Sequence, residues 1–289
     1  MTARLLDGRD LASHLRRDLH HRVEQLTGGE PEVAPCLAIL RDASSEPAAL
    51  YAASLERAAR SVGVSVEALV VSGGDETAED AIGRWNVDPR VAGIVVAQPF
   101  ADVAHGKRLV ELIDPTKDVD GATPTNAGRL ARGEPAFVPA TALAVIAMLE
   151  AHGVNVAGKR AVIVGRSAVV GRPVASLLLA RDATVVICHR STRNLARETR
   201  RAEVLVAAAG MPGLIRPEMV NRSTVIVDCG INAVAGGITG DVDFASVAPV
   251  VRAITPVPGG IGPVTPMMVL RQVVEAAERT APAPAGIRA

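Results

Sequence analysis

Aromatic side chains are almost missing from this chain of 289 residues: they make up 2% of it, with one tyrosine, one tryptophan and three phenylalanines. Its cores must therefore be packed from Val, Ala, Leu and Ile. That favours layered α/β architecture, whose buried parallel strands are rich in aliphatic residues. Lysine is as scarce. Lys107, Lys117 and Lys159 are its only instances, so chemistry that needs an amine has three candidates. Net charge is absent too, since 31 Lys and Arg balance 31 Asp and Glu without a long basic run. Nothing in that balance points to nucleic acid or an anionic membrane as a partner. Cysteine is limited to Cys36, Cys188 and Cys229, far apart and each in an apolar run. An odd, scattered set predicts buried free thiols, not disulfides or a metal site. The N-terminus, "MTARLLDGRDLASHLRR", lacks a hydrophobic signal core, and no apolar run is long enough to span a bilayer. A cytoplasmic location is the expectation.

What the chain does have is 48% hydrophobic and 21% charged residues, the balance of a globular protein. Its length suits two domains. Leu11, Leu15, Leu19, Val23 and Leu26 recur at helical spacing and predict an amphipathic first helix ending near Gly28 and Gly29. "PCLAIL", "VSVEALVV" and "AGIVVAQPF" read as strands, with helices between them that include "YAASLERAAR" and one beginning near Glu76. A further helix covers about Gly106 to Ile113. After the helix "TALAVIAMLEAHG", four more apolar strands follow: "RAVIVG", "ATVVICH", "AEVLVAAAG" and "STVIVDCG". Strands alternating with helices predict parallel sheets. The expected fold is α/β with two parallel-sheet domains. Residues 1–140 form the first domain, to which a C-terminal helix at 265–280 returns. Residues 141–264 form the second, and 281–289 a disordered tail.

One junction carries a ligand signal. In "VIVGRSAVVGRP", residues 162–173, a buried strand stops at Gly165, a polar turn Arg166-Ser167 follows, and a helix begins near Val170. Free backbone N–H groups and the positive helix end then converge on one point, which suits a pyrophosphate. Gly165 permits close approach of the ligand and Gly171 close helix–strand packing. The spacing is not G-x-G-x-x-G, and a plain tight turn in any α/β domain is the alternative. The next strand ends in "HRST", residues 189–192, where an NAD site would carry an acidic residue. Arg190 and Ser191 instead suit the extra 2′-phosphate of NADP, against the alternative of a solvated loop with one arginine.

Four stretches, "KDVDG" (117–121), "GRSAVVGRP" (165–173), "DCGIN" (228–232) and "TPVPGGIGPVT" (255–265), stand in an order and spacing that resembles the bifunctional methylenetetrahydrofolate dehydrogenase/cyclohydrolase family, over nearly the whole chain. The resemblance implies a folate-side N-terminal domain and a C-terminal Rossmann-like NADP domain, joined by long helices with a cleft between, and a homodimer. It also implies oxidation of 5,10-methylenetetrahydrofolate by NADP, followed in most members by hydrolysis of the methenyl cation to 10-formyltetrahydrofolate. Residue by residue, it implies that Tyr51 packs on the folate ring and that Asp120 hydrogen-bonds the pterin, with a helix-capping role before Gly121 as the alternative for Asp120. Gly165, Arg166 and Ser167 match the cofactor turn, and Arg190 and Ser191 the 2′-phosphate loop. Ile231 matches a backbone contact on the nicotinamide side. Pro258, Gly259 and Gly260 match the loop over both ligands, or form a plain crossover.

The departures fall on the folate side. Where the family reads Y-x-x-x-K, the lysine of cyclohydrolase chemistry, this chain has Leu55. Where the strand "G-I-x-V-Q-x-P" supplies a glutamine, it has Ala97, with Gln98 one residue late and so on the opposite face. "DGATPTN" (120–126) and "PATALA" (139–144) also depart from family patterns. The expectation is an NADP-dependent dehydrogenase whose cyclohydrolase activity is lost or very weak, with no metal. A paralogue with an altered folate or imine-like substrate, and a non-catalytic NADP- or folate-binding regulator, are the alternatives.

Overall fold

Residues 3–72 and 77–280 are described in the computed structural model of the protein. The expected start of a helix at Glu76 and the expected disordered tail at 281–289 lie outside the described residues. In chain order the elements are β1 (Arg4–Leu5), α1 (Gly8–Thr27), β2 (Cys36–Asp42), α2 (Glu46–Val62), β3 (Ser65–Val71), α3 (Thr77–Val87), β4 (Val91–Ala97), α4 (Val103–Glu111), α5 (Pro124–Ala131) and α6 (Ala140–Ala151). They continue with β5 (Arg160–Val164), α7 (Gly171–Leu179), β6 (Thr184–Cys188), α8 (Leu195–Thr199), β7 (Val204–Ala207), β8 (Val225–Asp228), β9 (Asn232–Val234), β10 (Gly237–Thr239), α9 (Phe244–Val247), β11 (Ala253–Ile254) and α10 (Ile261–Thr280).

The chain divides into two compact units, one of Leu15–Asn126 and Val269–Ala289, the other of Met1–His14 and Ala127–Met268. In the first, a parallel sheet runs β3-β2-β4. Its core is aliphatic, with Ala38, Leu40, Ile94 and Val96 of the strands against Ile82 and Trp85 of α3. Helix α2 packs over the sheet. Ser45 starts it by accepting from Ala48 N at 3.3 Å, and Gly63, at φ +83°, ends it in the left-handed conformation. The late part of α10 belongs to this unit, where Arg22 of α1 donates to Glu278 and Gln272 Nε2 donates to Val119 O at 2.7 Å.

In the second unit an all-parallel sheet runs β1-β11-β8-β7-β5-β6 around a core that includes Val162, Leu205, Ile226 and Ile254. The sequence reading saw four of its strands. The two missed, β1 and β11, have two residues each, too few to show a hydrophobic period. Pairing of Arg4 with Ala253 and Leu5 with Ile254 explains why residues 3–14 cluster with this sheet and not with the segment that follows them. The hairpin β9–β10 was missed for the same reason. Helix α10 begins four residues earlier than 265 and carries Pro266 inside it, since an apolar face buried from Val264 to Val274 outweighs one lost amide bond.

Among the described residues no helix is long and apolar enough to cross a membrane. The three cysteines are free, but only Cys188 is fully buried; Cys36 and Cys229 are half-buried, which corrects the expectation for those two.

Candidate functional site

In the first unit, Tyr51 sits in the second turn of α2 and its hydroxyl donates to Asp120 Oδ1 and Oδ2 over 3.5 and 3.4 Å. Burial of the phenol, together with the Asp120 charge, holds its pKa well above the ordinary value near 10. The segment bearing Asp120 is pinned at every step. Lys117 Nζ donates to the Trp85 and Asp88 carbonyls at 2.8 and 2.6 Å, and Ile94 N donates to Lys117 O at 2.7 Å. Gly93 is needed beneath it, because a Cβ there would lie 2.6 Å from the Val119 methyls.

Asp118 is buried and accepts from Ala122 N, Thr123 N, Thr123 Oγ1 and Asn126 Nδ2 at 2.7–2.9 Å. Burial still pushes its carboxyl upward. Asp118 therefore takes the loop amides, and Thr123 Oγ1 accepts from Asn126 N at the start of α5. Asp118 and Thr123 thus order the turn into α5, a role that sequence reasoning passed over.

One turn after Tyr51, Leu55 is fully buried on the face of α2 that also carries Ala52 and Ala59. Ala97 is buried at the last position of β4. Gln98 lies beyond the strand, exposed, and donates to Gly106 O at 3.3 Å. Of the other residues in this unit that carry an amine, Lys117 donates to two backbone carbonyls and Lys107 is exposed on α4.

In the second unit, Gly165 closes β5 at φ +134°, and a Cβ there would come within 2.0 Å of Ala208 O. A Cβ on Gly171 would meet Gly165 O at 2.2 Å. Both positions thus require glycine for the turn to close against its neighbours. Ser167 Oγ accepts from Val170 N and Gly171 N at 3.1 and 3.4 Å, shaping the entry to α7, while Arg166 stays exposed. After β6, His189 N donates to Thr192 Oγ1 and Ser191 N donates to His189 Nδ1, a self-bonded turn that leaves the Arg190 and Ser191 side chains exposed. The group that fits here is a phosphorylated dinucleotide: a glycine cradle, a helix N-terminus and an exposed cation with no acidic residue at 189–192.

Gly8 N donates to Gly259 O at 2.8 Å, and a Cβ on Gly8 would strike Gly260 O at 1.9 Å. Gly259, at φ +110°, and Gly260 therefore pack against the start of α1 after Pro258. Gly8, in "LLDGRDLA", was missed as part of that loop's support. Ile231 follows β8 with 70% of its surface exposed. The buried acids Asp228 and Asp241 beside it were also missed. Among the described residues no three His, Cys, Asp or Glu side chains gather as metal ligands would.

Residues 139–281 match the tetrahydrofolate dehydrogenase/cyclohydrolase NAD(P)-binding domain, and residues 6–120 match the tetrahydrofolate dehydrogenase/cyclohydrolase catalytic domain. The bifunctional protein FolD 1 of Saccharopolyspora erythraea is 44% identical over 281 residues, covering 96% of this chain and 95% of its own. A solved FolD of Trypanosoma brucei, complexed with NADP cofactor and inhibitor, superposes with a TM-score of 0.93 at 31% identity, covering 98% of this chain and 100% of that one. A 5,10-methylenetetrahydrofolate dehydrogenase from the silkworm Bombyx mori gives 0.89 at 35% identity, covering 96% and 99%. With two family domains matched over most of its length and a parallel α/β fold to go with them, the chain belongs to the tetrahydrofolate dehydrogenase/cyclohydrolase family.

Proposed function

We propose that the protein is an NADP-dependent 5,10-methylenetetrahydrofolate dehydrogenase in which methenyltetrahydrofolate cyclohydrolase activity is lost or very weak. The observation that carries this is Leu55, apolar and fully buried one turn after a retained Tyr51. Ala97 supports it, since it has no amide to offer at the end of β4.

The two activities ask different things of a protein. Oxidation moves a hydride from the bridging methylene carbon of the folate, leaving the methenyl cation and reduced cofactor. It demands placement and orientation of two ligands. NADP, when bound, supplies the hydride acceptor. On the chain's side, Gly165, Arg166, Ser167 and Gly171 hold the pyrophosphate, and Arg190 with Ser191 the 2′-phosphate. The backbone at Ile231 faces the nicotinamide. Tyr51 stacks on the pterin, Asp120 accepts its N–H hydrogen bonds, and Pro258, Gly259 and Gly260 line the folate.

Hydrolysis of the methenyl cation needs in addition an activated water and a group to move its protons, a contribution of about 10²–10⁴-fold. Leu55 and Ala97 provide neither, and Leu55 sets no positive charge against the cation that oxidation forms. The protein acts as a homodimer on this reading, as the family resemblance implies, in a cytoplasmic setting.

A two-wavelength assay tests it, following NADPH formation at 340 nm and methenyl decay together. Cofactor reduction with accumulating methenyl product is the expected outcome. Methenyl consumed as fast as it forms would remove the cyclohydrolase part, and no reduction with either nicotinamide nucleotide at saturating folate would remove the whole.

A further inference from the structure

Two acids lie buried under the strand ends of the second unit, Asp228 at 3% exposure and Asp241 at 1%. Asp241 Oδ2 accepts from Ala209 N and Gly210 N at 2.5 and 2.9 Å, and Oδ1 accepts from Met211 N at 2.9 Å. Three successive amides of the loop after β7 thus converge on one carboxylate. The same Oδ1 accepts from Asn232 Nδ2 at 2.9 Å, immediately after Ile231. On the other side of Ile231, Gly230 N donates to Asp228 Oδ1 at 2.8 Å, and that oxygen also accepts from Asp241 N at 3.0 Å.

The packing leaves no slack. A Cβ on Gly240 would stand 1.9 Å from Asp228 Oδ2, and one on Gly230 would stand 2.5 Å from Asp241 Oδ1. Beyond the loop, Ala208 O lies against the Cβ position of Gly165. Ligands of open parallel sheets bind beyond the carboxyl ends of the strands. Asp241 therefore ties together the edges after β7 and β8, and through Ala208 it abuts the glycine turn after β5.

We propose that Asp241 is a positioning residue for hydride transfer, holding the Ile231 backbone and the 209–211 loop in fixed relation to the Gly165 turn. This rests on the dehydrogenase reading above. Asp241 itself touches neither ligand. Its charge-assisted bonds to four donors are what an asparagine cannot reproduce, because an amide group would face N–H donors with its own N–H.

The test compares wild type, Asp241→Asn and Asn232→Ala, the last removing the Asn232 side-chain bonds to Asp241 Oδ1 and, at 3.4 Å, to Thr239 O while leaving the Asp241 bonds to 209–211 in place. Displacement by a fraction of an ångström predicts that turnover in Asp241→Asn falls roughly 10–100-fold while the NADP dissociation constant moves less than about threefold. A dideuterated methylene substrate should show a larger isotope effect in Asp241→Asn than in wild type. Amide exchange should quicken at 209–211 and 230–232 in Asp241→Asn, and at 230–232 alone in Asn232→Ala. Unchanged exchange at both segments, or turnover and NADP affinity lost in equal measure, overturns the proposal. Should Asp241→Asn not fold, Asn232→Ala decides, by an isotope effect raised with NADP affinity intact. An inactive wild type would overturn the dehydrogenase reading, while amide exchange would still decide whether Asp241 sets the two loops.

Discussion

The hydroxyl of Tyr51 reaches both carboxylate oxygens of Asp120, at 3.5 and 3.4 Å, across 69 residues of sequence. These are long bonds, worth no more than about 1 kcal/mol in stability. Their consequence is electrical. A phenol removed from water and set beside an anion is costly to ionise, so it stays a neutral donor with a flat apolar face.

Because Tyr51 is the sole tyrosine, absorbance at 295 nm titrates one group. Its midpoint should lie above the ordinary value near 10 in the folded protein. Asp120→Asn should lower it, though not to that value, since burial is the larger cause. A midpoint unmoved by Asp120→Asn would mean that the two groups do not meet. Tyr51→Phe should keep the fold and raise KM for the folate less than about tenfold, the worth of one hydrogen bond. Tyr51→Ala, which removes the ring, should cost more.

Leu55 fills a sealed position on α2, so Leu55→Ala should destabilise the protein by about 2–5 kcal/mol, read by urea unfolding. Leu55→Lys should lower stability as well, by taking an amine out of water at a fully buried position. Joined to Ala97→Gln, it should bring back measurable methenyl hydrolysis. A double variant that folds and binds folate yet hydrolyses no more than wild type would show that these two positions do not account for the proposed loss.

How much of this was legible in the sequence varied with length of signal. Strands of four to seven residues, such as β2, β4, β5 and β8, announced themselves as aliphatic runs. Two-residue β1 and β11 carry no period, and only pairing partners identify them. The site followed the same rule. Gly165 and Gly171 were readable because a strand and a helix frame them, whereas the need for Gly8 comes from Gly260, 252 residues away. Asp118 and Asp241 were invisible for another reason. Their work is to collect backbone amides inside the fold, and a sequence does not display which amides lack partners.

Arg190 stands exposed at the end of β6 with no acidic residue among 189–192. A 2′-phosphate contact through a guanidinium is a charge-assisted pair worth about 1.5–3 kcal/mol. Arg190→Ala should therefore weaken NADP binding by roughly 10–100-fold and leave NAD binding unchanged, as measured by calorimetry. Loss of both to the same degree would move Arg190 to the shared part of the cofactor.

Asp228 offers a test by pH. Burial raises its pKa from 3.8 to about 6 in spite of three backbone amides that favour the anion. Between those values the folded chain keeps a proton that the unfolded chain has released. Its contribution to stability is therefore complete below the unfolded value and fades as pH rises through the folded one. A shift of about two units corresponds to about 3 kcal/mol, of which about 2 kcal/mol should disappear between about pH 4.5 and pH 7. Carboxylates held low by their hydrogen bonds, Asp42 and Glu278 among them, change stability in the opposite direction. The measurement is thus the difference in unfolding free energy between wild type and Asp228→Asn at each pH. Asparagine does not titrate, so whatever fixed offset it brings cancels from the slope, and the other acids cancel as well. The difference should swing against the wild type by about 2 kcal/mol across that range. A flat difference would place the carboxyl in contact with water, and with it would go the account of a dry acid pair beneath the loops after β7 and β8.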